Sequence, residues 1–67
     1  MHNHDEDKEK IYRYLRSLHY APSVSKAARA LGMSYYYLHC RLLEMAKDGR
    51  VTHEFDGRPA FMVVRDE

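Results

Sequence analysis

Apolar residues recur in two rhythms along this chain, and the change of rhythm divides it. From Lys10 onward, Ile11, Tyr14, Leu15 and Leu18 fall at i, i+3, i+4 and i+7, which is one face of an amphipathic helix. That spacing predicts a first helix over residues 10–19, with Lys10, Arg13 and Arg16 off the buried face. Pro22 biases Ala21 away from helical backbone, so residues 20–23 break the pattern. Val24 is a lone apolar anchor in that break, and Ser25 supplies a cap. Ala27, Ala28 and Leu31 then mark the inward side of a short second helix over residues 26–31. Gly32 is free to take the positive φ that ends it. Met33 plugs the turn, and Ser34 caps a third helix running to Asp48-Gly49. Leu38, Leu42, Met45 and Ala46 form its buried stripe, while Tyr36, Cys40, Leu43 and Lys47 stand opposite.

After Gly49 the period falls to two. Val51, His53 and Phe55 alternate with Thr52 and Glu54, Asp56-Gly57 is a hairpin turn signal, and residues 60–64 form a second β-rich run. Pro59 precedes that run, where a missing N–H is tolerated. The expected fold is therefore α+β, a three-helix core followed by a two-stranded hairpin. Because an isolated hairpin is marginal, Val51, Phe61 and Val63 are expected to pack back on the helices. A chain of 67 residues supports one hydrophobic core, which excludes most enzyme architectures. The domain is expected over residues 10–65, after a flexible acidic segment over residues 1–9.

The net charge of +1 conceals a segregation. Residues 1–9 carry Asp5, Glu6, Asp7 and Glu9 against Lys8, and Asp66-Glu67 closes the chain. Between Lys10 and Arg41 there are six cations and no acid. A basic stretch inside a near-neutral protein is a local field that attracts polyanions; its alternative meaning is a solvated surface. Apolar runs are not continuous enough to cross a membrane, and no window approaches about 20 apolar residues. The first residues have no basic segment followed by an apolar one, so the expected location is the cytoplasm. Cys40 is the single cysteine, which excludes an internal disulfide and a Cys-x-x-Cys metal site.

The segment Ser25-Lys26-Ala27-Ala28-Arg29-Ala30-Leu31-Gly32-Met33-Ser34, followed by Leu38 and Leu42, resembles the helix-turn-helix of Fis-family and of LysR- or ModE-like bacterial regulators. Each position has a packing reason: small alanines where two helices cross, leucines filling the gap, a glycine at the turn and a serine cap. The resemblance covers residues 23–46, and the hairpin extends it to winged helix-turn-helix domains in general. It implies a prokaryotic DNA-binding transcription regulator, without cofactor, metal or catalysis. The third helix would enter the major groove of double-stranded DNA. Tyr35, Tyr36, Tyr37, His39 and Cys40 would then lie nearest the bases, with Arg41 and Lys47 near phosphates. Ser34 would offer a helix N-terminus to a phosphate, and Lys26 and Arg29 would add charge. Arg58, beside the hairpin tip, is the wing residue for backbone or minor groove.

Three consecutive tyrosines point three ways on a helix, so Tyr35 is expected partly in the core, Tyr37 over the preceding turn, and Tyr36 free. An exposed strip of Tyr36, Cys40 and Leu43 has a second meaning, a surface for a second copy or a protein partner without nucleic acid. Enzyme chemistry has little to stand on. Adjacent His39 and Cys40 point about 100° apart on a helix and form no nucleophile-base pair. His2, His4 and Asp5 are metal-ligand types, but in a lead-in segment they are expected to be a polar tail.

Overall fold

The computed structural model describes residues 4–55 and 57–64. His2, Asp56, Asp66 and Glu67, to which the sequence assigned metal, turn or charge roles, lie outside the described residues. Three helices, α1 (His4–Arg16), α2 (Val24–Leu31) and α3 (Tyr35–Lys47), precede two strands, β1 (Val51–Phe55) and β2 (Pro59–Val63). The arrangement is the expected α+β one. β1 and β2 pair antiparallel with Val51 opposite Val63 and His53 opposite Phe61. Beyond β2, Ser23 makes a single antiparallel bridge to Ala60, which ties the α1–α2 connection to the hairpin.

One core joins all five elements: Ile11 and Leu15 from α1, Val24, Ala27 and Ala28 from α2, Leu38, Leu42 and Met45 from α3, and Val51, Phe61 and Val63 from the strands. Every one of these was apolar at a position where the 3.6- or 2-residue period demanded it, apart from Val24. The helix that was expected to begin at residue 26 behind a Ser25 cap begins at Val24, with Ser23 as its cap. Ser23 sits at φ −64, ψ 153 and its hydroxyl accepts the Lys26 N–H at 3.2 Å. Starting there lets Val24, Ala27, Ala28 and Leu31 line up at i, i+3, i+4 and i+7, so burial decides between two serines of equal capping ability.

The first helix also differs from expectation at both ends. It extends six residues further towards the N-terminus, to His4, because acidic residues in a first turn suit the positive end of the helix dipole and because three of its side chains find partners. Lys8 meets Glu44 at 3.1 Å, Glu9 meets Arg50 at 2.9 Å, and Tyr37 donates its phenolic O–H to Asp7. The other end stops at Arg16, where the Ser17 hydroxyl donates to the Tyr14 carbonyl at 2.7 Å and the Leu18 N–H reaches back only to Leu15. That three-residue step tightens and closes the last turn.

The α2–α3 turn is set at both sides by local chemistry. Gly32 takes φ 68, and the Met33 N–H donates to the Ala28 carbonyl at 3.0 Å, which closes α2 in the left-handed manner open to glycine. Ser34 then accepts the Tyr37 N–H at 3.2 Å and starts α3. Replacing Ser34 by Ala is expected to lower stability by about 1 kcal/mol, a cap loss readable as a fall in thermal midpoint of several degrees for a domain this small. A midpoint unchanged in that variant would mean another donor-acceptor pair starts the helix.

Candidate nucleic-acid interface

α3 turns three different sides to its surroundings. Leu38, Leu42 and Met45 are buried in the core. Tyr37, Arg41 and Glu44, spaced at i, i+4 and i+7, face the first half of α1. Tyr36, Cys40, Leu43 and Lys47 face outward, with Tyr35 and His39 on the hairpin side of them.

The side towards α1 is where expectation and structure part. Arg41, expected near phosphates, turns inward: its guanidinium is 2.9 Å from Glu44 and lies 5.0 Å from the Tyr37 ring centroid, and its side chain is 11% exposed. Its Nε is buried without a hydrogen-bond partner among the described residues. The reason is the extra length of α1, which brings Lys8 and Asp7 over this side of α3 and makes it an interface. Glu44 is held below the usual carboxylate range, chiefly by the hydrogen bond from Lys8, against a smaller opposing effect of burial and with help from Arg41. A depressed carboxyl contributes its stabilisation at neutral pH and loses it as pH falls through the carboxylate range. Burial, together with the hydrogen bond to Asp7, pushes the Tyr37 phenol up. Tyr37 is thus engaged with α1, through Asp7 and the edge ring contact with His4 at 5.8 Å.

The hairpin side carries a row of rings. Tyr35 meets His39 edge-on at 5.7 Å, His39 meets Phe61 edge-on at 5.9 Å, and His53 stacks on Phe61 at 4.6 Å with an interplanar angle of 12°. Tyr35, expected partly in the core, is 42% exposed, its ring set edge-on against His39 at the surface and not among the buried side chains. His39 is half-buried and covers Phe61 as much as it faces outward. His53 is a surface residue that the alternation of β1 placed on the hairpin without revealing its stack on Phe61. The cross-strand register, with His53 opposite Phe61, is the signal that carries it.

The outward side matches expectation residue by residue. Tyr36 is 82% and Leu43 50% exposed, and Cys40 is a free, exposed thiol. With Tyr35 and His39 they line an open groove of about 380 Å³. Lys47 is exposed at the end of the same side. Lys26 and Arg29 are exposed on α2, and Arg58 is exposed beside Gly57 at the hairpin tip. Lys26 donates to the Tyr20 hydroxyl at 2.9 Å and lies 5.0 Å over that ring; the hydrogen bond raises the ammonium above its ordinary value, so it stays charged. Tyr20, six residues ahead in sequence, was not foreseen as its support. Ser34 lies at the surface with its hydroxyl engaged as the cap.

None of the four outward positions of α3 is an acid, and Glu54 is the single acid among the described residues of the hairpin. Asp7 and Glu9 of α1, and Glu44 of α3, are drawn into contacts with Tyr37, Arg50, Lys8 and Arg41 instead. Among the described residues there is no cluster of three or more His, Cys, Asp or Glu side chains able to hold a metal ion, and no helix long and apolar enough to cross a membrane. Compared with known proteins, the chain matches no family model, no curated protein and no solved structure.

Proposed function

We propose that this protein is a DNA-binding transcription regulator of winged helix-turn-helix type, acting in the cytoplasm without catalysis or cofactor. α3 enters the major groove by its outward side, and the hairpin wing lies on the backbone or in the minor groove. The observation that carries this reading is the acid-free outward side of α3 in a chain that exposes Lys26, Arg29, Lys47 and Arg58 while Asp7 and Glu9 are held against Tyr37 and Arg50. Charges sorted in this way attract a polyanion, and phosphate neutralisation supplies most of non-specific DNA affinity. The turn at Gly32, with small, buried Ala27 and Ala28 on α2, supports the reading of α2 and α3 as a helix-turn-helix pair.

Two arginine variants test the footprint. Arg58→Gln is expected to flatten the dependence of log affinity on log salt by about 0.9, one phosphate contact, for any duplex. Arg41→Gln is expected to leave that slope unchanged, since its guanidinium already serves Glu44 and Tyr37. Equal slopes for the parent and Arg58→Gln, measured by fluorescence anisotropy at several salt concentrations, would contradict the assigned wing.

The exposure of Tyr36 and Leu43 together favours a second reading, an interaction module whose α3 strip receives a protein partner or a second copy. Solution mass against concentration separates the two: a dimer lost in Leu43→Asp, with no affinity for duplex in either chain, supports the module.

A further inference from the structure

The outward side of α3 lacks the groups that read purines by paired hydrogen bonds. Guanine is met most often by a forked Arg or Lys and adenine by Asn or Gln. The chain has no Gln, and its one Asn, Asn3, lies outside the described residues. The arginine of α3, Arg41, is turned to Glu44 and Tyr37, and Lys47 stands in the last turn, far along the helix from the end that leads into a groove. What α3 does offer is apolar: Tyr36, Cys40 and Leu43 at i, i+4 and i+7, lining a groove with Tyr35 and His39. Tyr36 keeps a hydroxyl, which forms single hydrogen bonds and cannot make the two-point contact.

One feature of the major groove is itself apolar, the methyl group at C5 of a pyrimidine, carried by thymine and by 5-methylcytosine. Resting on the DNA-binding reading, we propose that α3 selects its site by apolar contact of Tyr36, Cys40 and Leu43 with pyrimidine C5-methyl groups, not by hydrogen bonds to purine edges. The occupant is duplex DNA because the apolar strip carries no acid and the chain exposes Lys26, Arg29, Lys47 and Arg58 as phosphate partners. Burying one methyl group corresponds to about fourfold in affinity. A few such contacts give a modest preference laid over strong backbone binding.

The test uses the full chain and a random duplex pool that contains both thymine and 5-methylcytosine. The duplex enriched by affinity is remade in three ways: thymine to uracil, 5-methylcytosine to cytosine, and guanine to 7-deazaguanine, which removes the N7 acceptor. Loss of about fourfold per contacted methyl in the first remade duplex assigns thymine, and in the second 5-methylcytosine; the third is expected to bind like the parent duplex. Tyr36→Ser and Leu43→Ser, both at exposed positions, are expected to erase the methyl preference and keep the salt dependence. A pool without enrichment, or a selected duplex that tolerates both methyl removals, overturns the proposal while leaving DNA binding intact. Absence of affinity for every duplex at low salt overturns the DNA-binding reading and this inference with it.

Discussion

Phe61→Ala is expected to unfold the protein at ordinary temperature. Phe61 is 1% exposed, sits at the centre of β2, and is the ring on which both His39 of α3 and His53 of β1 rest. Removing a buried phenylalanine costs about 3–5 kcal/mol, the lost transfer energy together with the cavity left behind. A chain of 67 residues has roughly 3–10 kcal/mol of stability in total, at about 0.05–0.15 kcal/mol per residue. The hairpin is two-stranded and depends on that anchor, since among its described side chains the others that are buried are Val51 and Val63. Circular dichroism melts of Phe61→Ala and Phe61→Leu measure the effect. The alanine variant is expected to lack a cooperative transition, and the leucine variant to keep one at a lower midpoint. A melt within a few degrees of the parent for Phe61→Ala would mean that the helices hold without the hairpin.

The second large effect concerns binding. Replacing Lys26, Arg29, Lys47 and Arg58 together by Gln removes four positive charges from a chain whose net charge is +1. All four side chains are exposed, so the variant is expected to fold like the parent. If each neutralises one phosphate, the slope of log affinity against log salt loses about 0.9 for each, and binding to duplex DNA disappears at moderate salt. Lys26 carries the added consequence that Tyr20 loses its hydrogen-bond partner, a surface contact of little weight for stability. Retained affinity with an unchanged slope in the fourfold variant would refute the assigned charge footprint.

How far the sequence could be read depends on the range of the forces concerned. The core was legible because burial imposes a period: Ile11 and Leu15, Leu38, Leu42 and Met45, and Val51, Phe61 and Val63 are apolar where a helix or strand must face inward. The caps at Ser34 and Gly32 were legible because they are local hydrogen-bond and dihedral requirements. The true start of α1 was not. Residues 4–9 hold no apolar repeat, and their helix is supported by Asp7, Lys8 and Glu9 reaching Tyr37, Glu44 and Arg50, partners about thirty to forty positions away. That single difference propagates to the candidate site. With α1 extended over it, the Tyr37–Arg41–Glu44 side of α3 becomes a polar seam between the two helices, and Arg41 is engaged there with Glu44 and Tyr37. The outward strip of Tyr36, Cys40, Leu43 and Lys47 needed no partner to be placed, and the helical wheel alone located it.

Whether this face binds DNA is decided most directly by fluorescence anisotropy of a labelled mixed-sequence duplex titrated with the protein at low and at moderate salt. Saturable binding with a dissociation constant of about 10⁻⁴ to 10⁻⁶ M, weakening steeply as salt rises, is the predicted result. No binding at low salt would contradict the DNA-binding account and leave the exposed strip of α3 as a surface for a protein partner.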